Sequence, residues 1–344
     1  MSGVPEPEHE DEPEHEDAEG RQESVDPHAL QEDFTTVDQS LVPVAAPAQA
    51  IEPPLPSARS SPSFFESYVR QPLPAPVRIP NFFDVLLLAG LALFGWVCSG
   101  ALLATALHYH LWGISTVKQA LNDIHYTLGS QAAWYLISFS GCLVLFPAIW
   151  GRGYFAGLEW RADAALSKRW LLFTAALVCF LLALADGLLL PGPPDTPIDQ
   201  VFRLPGAAWL LFAFGVTMAP FFEEMAFRGF LLPAFCTAVD WCAERFLRVP
   251  AHQPDMEGKT RWSLPAMAIG SVLTSVPFAL MHAEQTGYSL GPFLLLICVS
   301  LVLCWVRLST RSLAASTLVH SSYNLLLFSL MLAGTGGFKH LDKM

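Results

Sequence analysis

Residues 85–107 have the sequence VLLLAGLALFGWVCSGALLATAL, an apolar run without a charged side chain. A helix that crosses the hydrocarbon core of a bilayer needs about 20 such residues, because each residue advances the helix by about 1.5 Å and the core is about 30 Å thick. Inside hydrocarbon the backbone groups must also pair within the segment, which favours a helix. This run therefore predicts a transmembrane helix.

Six further windows between successive charged residues have a similar composition. With the first, the set comprises residues 85–107, 124–151, 170–185, 204–222, 262–283, 285–306 and 312–338. The third window is short, but apolar residues continue past Asp186 as far as Leu190, so its helix can end near an interface. The stretch 229–239 could extend the fourth helix or turn back as a separate short one. We expect an all-α, polytopic membrane helix bundle with about seven to eight transmembrane helices.

The charges are distributed unevenly along the chain. Of the 344 residues only 15% are charged and 53% are hydrophobic, whereas about 25% of residues are charged in an average soluble protein. Residues 1–80 contain 16 acidic and 4 basic side chains, which accounts for the whole net charge of −12, and 14 of the 27 prolines. Such a segment cannot bury enough apolar surface to offset its ordering entropy. We expect a disordered, acidic, proline-rich tail over 1–80 and a transmembrane helical domain over 81–344.

The part of the chain that follows the tail is electrically balanced. Residues 81–344 contain 15 acidic and 15 basic side chains. They include no segment that concentrates lysine and arginine, as a nucleic-acid-binding surface requires. We therefore expect the lipid bilayer, and no nucleic acid, among the partners of this protein.

The basic residues predict an orientation, because cytoplasmic loops retain lysine and arginine. With the amino terminus inside, the outer loops contain only Lys118 and Arg203. The inner loops contain ten basic residues: Arg152, Arg161, Lys168, Arg169, Arg245, Arg248, Lys259, Arg261, Arg307 and Arg311. We expect a multi-pass integral membrane protein with a cytoplasmic amino terminus. The excess of Arg over Lys and the abundance of Ala, Leu and Pro are typical of GC-rich bacterial genomes, so a bacterial inner (cytoplasmic) membrane is expected.

Charged residues inside apolar helices are costly to bury and are usually functional. Residues 220–229, PFFEEMAFRG, place two carboxylates and a guanidinium between apolar flanks. Glu224 and Arg228 are four residues apart, so they share a helix face, where an ion pair would lower the cost of burying both. Glu223 points about 100° away from that face. It has no partner on its own helix, and we expect it to act as a general base.

Two later windows provide further polar groups. His282 follows the apolar residues 277–281, and His320 and Asn324 lie four residues apart on one face of the last helix. A glutamate, two histidines and an asparagine on three different helices predict one convergent polar site. Hydrolysis of an amide needs a base for water and hydrogen-bond donors for the developing oxyanion, and these side chains can provide both.

In order and spacing these residues resemble the CPBP family, the CAAX proteases and bacteriocin-processing enzymes that include the type II CAAX prenyl endopeptidases. The matching motifs are Glu223-Glu224-x-x-x-Arg228, Phe278-x-x-x-His282 and His320-x-x-x-Asn324. The likeness covers roughly residues 205–335, which would be the catalytic core. It implies an intramembrane endopeptidase that acts on a membrane-associated protein or peptide. It also implies that Glu224 and Arg228 give structural support.

The resemblance further implies catalytic roles for the other four residues. Glu223 would activate the attacking water with help from His282. His320 and Asn324 would stabilise the developing oxyanion. No cofactor is expected, although Glu223, His282 and His320 could instead hold a zinc ion, because two His and one Glu form a known catalytic zinc set. The HExxH motif of many zinc peptidases is absent from the sequence.

Two other functions remain open at this point. A membrane transporter would also place Glu, His, Asn and Arg near the middle of the bilayer and would use a helix broken at a residue such as Pro220. The sequence lacks a second copy of the Glu-Glu or His-x-x-x-Asn segment, as an internal repeat would supply. An inactive scaffold that sequesters membrane peptides would retain the same fold. Nothing in the sequence identifies the substrate or indicates whether it is prenylated.

Overall fold

A computed structural model describes residues 77–190, 196–204, 206–251, 258 and 260–338. The tail predicted for residues 1–80 lies outside these residues except for its last four positions, so its disorder stays a prediction. Within the described ranges all regular structure is helical and no strand occurs. The prediction of an all-α membrane protein is confirmed.

Seven helices in the described residues are long and apolar enough to cross a membrane. We number them α1 to α7: Phe82–His108, Ile124–Trp150, Arg169–Leu189, Ala207–Phe246, Leu264–Met281, Leu290–Thr310 and Leu313–Gly334. Short helical segments between them are Leu111–Gly113, Val117–Ala120, Tyr154–Gly157, Ala162–Ser167 and Pro197–Phe202. Each long helix overlaps one charge-free window of the sequence, and the seven helices agree with the predicted count of about seven to eight.

Polar side chains fix the start of α1 and join it to the end of α2. The side chain of Asn81 accepts a hydrogen bond from the backbone N–H of Phe83 at 2.9 Å, while the Asp84 carboxylate accepts one from the N–H of Asn81 at 3.0 Å. Asp84 is fully buried. Its Oδ1 also accepts hydrogen bonds from Arg78 at 2.9 Å and from the indole of Trp150 at 3.1 Å. This carboxylate therefore fastens two antiparallel neighbours at one end of the bundle.

The fourth helix, α4, is long and irregular. It consists of α-helical segments Ala207–Val216, Met218–Glu224 and Leu232–Phe246, with the π-helix Met225–Leu231 before the last one. Thr217 departs from helical geometry, with φ −116° and ψ −71°, and Pro220 lacks the N–H that would continue the hydrogen-bond ladder there. The stretch 229–239 extends α4 and does not form an eighth span.

Two apolar clusters hold α4 and α7 in place. Phe146 of α2, Phe230 of α4 and Leu313 of α7 are fully buried in one cluster. A second cluster joins α3, α6 and α7 through side chains such as Cys179, Leu303 and Val319. Because these clusters fix α4 and α7 against their neighbours, the polar residues on both helices have defined positions.

Candidate active site

Glu223 lies at the end of an α-helical segment of α4 and faces histidines from two other helices. Its Oε1 is 3.8 Å from Nε2 of His282, and its Oε2 is 3.8 Å from Nε2 of His320. The side chain of Glu223 is 11% exposed, so it is largely but not completely enclosed. The structure thus brings together three of the four residues expected to be catalytic, with one carboxylate oxygen directed at each imidazole.

Both imidazole rings are oriented by a hydrogen bond at the opposite nitrogen. Nδ1 of His282 lies 2.9 Å from the carbonyl oxygen of Phe278, one turn earlier in α5. Nδ1 of His320 lies 3.0 Å from Oε1 of Glu224. A carbonyl and a carboxylate can only accept, so each Nδ1 carries the hydrogen. In the neutral ring, each Nε2 then presents a lone pair towards Glu223.

Glu224 and Arg228 form the ion pair that their spacing predicts. Nη1 of Arg228 donates to Oε1 of Glu224 at 2.8 Å, and both side chains are fully buried. Nη2 of Arg228 donates to the carbonyl oxygen and the hydroxyl of Ser300 on α6, at 3.1 and 2.7 Å. The guanidinium also lies 4.5 Å from the centre of the Phe278 ring. These contacts compensate the buried charge and tie α4 to α5 and α6.

Asn324 lies on the same face of α7 as His320, one turn later. Its Nδ2 donates to the carbonyl oxygen of Gly215 in α4 at 2.7 Å. Gly215 precedes the Thr217 kink, so this bond links α7 to the irregular part of α4. The amide has a second N–H, and Asn324 lines the same cavity as Glu223 and both histidines.

The cavity has a volume of about 630 Å³. Most of its walls are apolar and come from α2, α4, α6, α7 and the short helix Pro197–Phe202. The lining residues that belong to no predicted motif include Ile124, Leu128, Gln131, Tyr135, Ile198, Val201, Phe202, Leu211, Phe214, Leu296, Leu327, Phe328 and Met331. A cavity of this size, with an apolar wall and a few convergent polar groups, is typical of a site for a small molecule or a peptide segment.

Tyr135 and Gln131 of α2 are cavity residues that the sequence analysis missed. They are one helical turn apart and both line the cavity. The Tyr135 ring packs against Phe222, with ring centres 4.7 Å apart, and stacks on Phe214 at 6.0 Å. Neither residue is charged, and α2 contains no motif, so only the packing of α2 against α4 reveals them. Residues 124–151 contain no charged side chain, so the sequence predicted a membrane helix there but did not indicate that one face of it is polar.

Comparison with known protein families identifies the part of the chain that contains these residues. Residues 205–326 match the model of the family described as Type II CAAX prenyl endopeptidase Rce1-like. Residues 205–326 are thus similar to the Rce1-like endopeptidases. No curated protein and no solved structure matches the chain. The resemblance to the CPBP family is therefore confirmed over this region.

The matched residues include Glu223, His282, His320 and Asn324, together with the Glu224–Arg228 pair. The match supports intramembrane endopeptidase activity in general. The helices α1 to α3 lie outside the matched residues, yet α2 contributes Tyr135 and Gln131 to the cavity. Part of the cavity wall is therefore built outside the matched residues.

The spacing of these side chains is wider than the usual spacing of ligands around one zinc ion. Ligand atoms at about 2.0 to 2.2 Å from one tetrahedral zinc are about 3.3 Å apart, closer than the 3.8 Å between Glu223 and either Nε2. Among the residues that the structure describes, no group of three His, Cys, Asp or Glu side chains has the arrangement of a metal site. This arrangement gives no support to the zinc alternative, and metal independence itself stays a prediction.

Proposed function

We propose that this protein is an intramembrane endopeptidase in which Glu223 and His282 activate water for attack on a peptide bond. The observation that supports this most strongly is the position of the Glu223 carboxylate between two Nε2 atoms inside a largely apolar cavity. The family match favours a peptidase over the transporter alternative. The substrate would be a membrane-associated protein or peptide.

The proposed water lies between Glu223 and His282. Two polar atoms 3.8 Å apart can both reach a third atom at about 2.8 Å, which is a normal hydrogen-bond distance. Since Nδ1 of His282 donates to Phe278, Nε2 can accept from this water. The water oxygen would attack the carbonyl carbon while its proton passes to Glu223. That proton would then go to the leaving nitrogen as the C–N bond breaks.

The oxyanion would be stabilised from α7. Asn324 has an N–H beyond the one that it gives to Gly215, and amide donors of this kind stabilise tetrahedral intermediates. His320 could donate from its Nε2 only in the imidazolium form, because its other hydrogen is on Nδ1. The carboxylates of Glu223 and Glu224 lie on opposite sides of this ring and would balance its positive charge. The buried Glu224–Arg228 ion pair would hold His320 in position, because Nδ1 of His320 donates to Oε1 of Glu224.

We further propose that the reaction needs no metal and that the protein resides in a bacterial inner membrane with its amino terminus in the cytoplasm. The purified full-length protein, in detergent, should generate new peptide termini from a membrane-protein extract, and mass spectrometry would detect them. Exhaustive chelation should leave this cleavage unchanged. Stoichiometric zinc whose removal stops cleavage and whose return restores it would contradict the metal-independent mechanism. Accumulation of a solute in liposomes without any new terminus would favour a transporter.

A further inference from the structure

The two ends of the helix bundle differ sharply in charge. We define the cation-rich end as the one where α1, α3, α5 and α7 begin and α2, α4 and α6 end. Among the described residues this end contains Arg78, Arg152, Arg161, Lys168, Arg169, Arg245, Arg248, Arg261, Arg307 and Arg311. The opposite, cation-poor end contains Lys118 and Arg203. The positive-inside rule assigns the cation-rich end to the cytoplasm.

Contacts at the cation-rich end show that it is one continuous, tightly joined region. Arg307 donates to Glu159 at 2.9 Å, and Lys168 donates to the carbonyl oxygen of Ser309 at 2.8 Å. The hydroxyl of Ser312 donates to the carbonyl oxygen of Arg161 at 2.6 Å. The helix ends and connecting segments of α2, α3, α6 and α7 therefore lie together, as their alternating directions require.

The cavity belongs to the other half of the bundle. From α2 it uses only residues 124–135, from α6 only 296–299, and from α7 only 320–331. In α2 and α6 these residues lie in the half of the helix that is closer to the cation-poor end, and in α7 they run from His320, just before the middle of the helix, towards that same end. The remaining walls come from the first part of α4, the end of α5 and the connecting segments at the cation-poor end. Glu223 lies at the inner limit of this cavity.

The opening of the cavity is at the cation-poor end as well. The lining residues that are exposed are Pro197, Glu284 and Gln285, and all belong to connecting segments there. The backbone N–H of Ile198 donates to the carbonyl oxygen of Gln285 at 3.2 Å, which joins the two segments across the opening.

In the other direction, towards the cation-rich end, the site is closed. Beyond Glu223 come the fully buried Glu224 and Arg228, followed by Phe230 and Leu313, which are also fully buried. A peptide chain cannot pass through this packed region without separating α4 from α7. The exposed lining residues Pro197, Glu284 and Gln285 therefore indicate access through the cation-poor end.

The geometry points to a substrate that reaches Glu223 from the non-cytoplasmic side of the membrane, as an apolar peptide segment exposed on that side. This inference rests on the proposed peptidase function and specifies which substrates it can serve. A prenylated carboxyl terminus in the cytoplasm would face the closed, cation-rich end. The apolar walls, with Phe202, Phe214 and Phe328 among them, suit apolar side chains on both sides of the cleaved bond.

The side of access can be tested by labelling single cysteines in oriented vesicles from an expressing bacterium. The background replaces the cysteines that are not buried, Cys98, Cys242 and Cys298, with serine. Gln285→Cys then reports on the opening, and Arg245→Cys, also at an exposed position, reports on the cation-rich end. A membrane-impermeant maleimide should label Gln285→Cys in right-side-out vesicles and Arg245→Cys in inside-out vesicles. Labelling of Gln285→Cys only in inside-out vesicles would overturn the inference.

The same vesicles can test cleavage with a mixture of quenched fluorogenic peptides that have apolar centres and a lysine at each end. Because charged peptides cross a bilayer very slowly, right-side-out vesicles should cleave at least about tenfold faster than intact inside-out vesicles. Detergent should abolish this difference, and Glu223→Gln should be inactive in every preparation. A bulky maleimide on Gln285→Cys should stop cleavage, whereas the same reagent on Arg245→Cys should not.

The side of access and the peptidase function can be contradicted separately. Cleavage in detergent that depends on Glu223, but that intact vesicles show only when the cation-rich end faces the peptide, would overturn the side of access and leave the proposed peptidase intact. If the detergent preparation shows no cleavage that depends on Glu223, the proposed function is wrong. In that case the labelling pattern alone decides on which side the cavity opens.

Discussion

Glu223 and Glu224 are adjacent in the chain but lie in two contrasting regions of the molecule. The region around Glu224 is sealed: its side chain is fully buried, and Arg228 at 2.8 Å and His320 at 3.0 Å donate to its Oε1. The region around Glu223 is a cavity, and the nearest ring nitrogens are 3.8 Å away, beyond hydrogen-bond distance. The protein donates two hydrogen bonds to the Glu224 carboxylate, whereas the Glu223 carboxylate faces two imidazoles at a distance that leaves room for another molecule.

This difference shows how one rotation of about 100° along a helix can separate a structural charge from a reactive one. His320 connects the two regions, because its Nδ1 contacts Glu224 and its Nε2 faces Glu223. The sealed region therefore orients a side chain of the open one. Substitutions in the two regions should have different effects. A change at Glu223 should lower the cleavage rate, whereas a change at Glu224 should lower the stability of the fold.

The largest expected effect is that of Glu223→Gln on cleavage. Loss of a general base lowers a rate by about 10²- to 10⁴-fold, and the amide keeps the shape of the side chain. Thermal unfolding in detergent should change little, because the side chain of Glu223 makes no hydrogen bond within the described part of the chain. A peptide-cleavage assay and a melting curve on the same purified sample measure both quantities.

Glu244→Gln is the matched control for this change. It removes a carboxylate from the same helix, but near the cation-rich end and outside the cavity. Its cleavage rate should equal that of the wild type. If Glu223→Gln still cleaves at a rate close to the wild type, the assignment of Glu223 as the base is wrong.

The second largest effect is expected for folding when the sealed pair is broken. Glu224→Ala or Arg228→Ala should destabilise the protein by about 3 to 5 kcal/mol, because each leaves the other charge buried without its partner. The double variant should lose less than the sum of the single changes. A double-mutant cycle on unfolding in detergent measures this coupling.

The exposed pair Arg161–Asp163, with atoms 3.4 Å apart, offers a comparison. Its cycle should show no measurable coupling, because solvent screens exposed charges. If the double-mutant cycle at Glu224 and Arg228 also shows no coupling, an ion pair does not stabilise this buried region.

A smaller effect is expected for Tyr135→Phe in the open region. The ring contacts with Phe222 and Phe214 remain, and only the hydroxyl is lost from the cavity. We expect this hydroxyl to make one hydrogen bond to the bound substrate, and loss of one such bond corresponds to about a 2- to 10-fold fall in kcat/KM. Tyr109→Phe, at an exposed position after α1, should have no effect on kcat/KM. Equal values for Tyr135→Phe and the wild type would show that α2 contributes only shape to the site.

The smallest effect is expected for removal of residues 1–75, which lie outside the described residues. The composition of this segment provides neither apolar packing nor a catalytic motif, so cleavage by the shortened protein in detergent should equal that of the full chain. The assay compares both proteins at equal concentration. Loss of cleavage that addition of the separate segment restores would give the tail a role in catalysis.

Much of the fold could be predicted from the sequence because membrane thickness imposes a length on every spanning helix. The charge-free windows located all seven helices, and the four-residue spacing of Glu224 and Arg228 predicted their ion pair. The π-helix Met225–Leu231 was not predicted, because its extra residue per turn leaves no compositional mark. The contact between His320 and Glu224 was also missed, since it depends on how α7 packs against α4.

The cavity was the least predictable part of the site. Its motif residues were found because charged and imidazole side chains are rare inside apolar helices. Tyr135 and Gln131 occur in a helix without such a signal, and the opening near Gln285 is formed by segments that are distant in the chain. Positions of this kind depend on tertiary packing.

If Glu223 makes this protein cleave peptide bonds, membranes with and without its carboxylate should differ in the protein termini that they contain. Membranes that contain the wild-type protein and membranes that contain equal amounts of Glu223→Gln would be analysed by mass spectrometry of all new peptide termini. We expect at least one terminus that is present with the wild type and absent with Glu223→Gln. Identical sets of termini in the two membranes, at equal levels of folded protein, would contradict it.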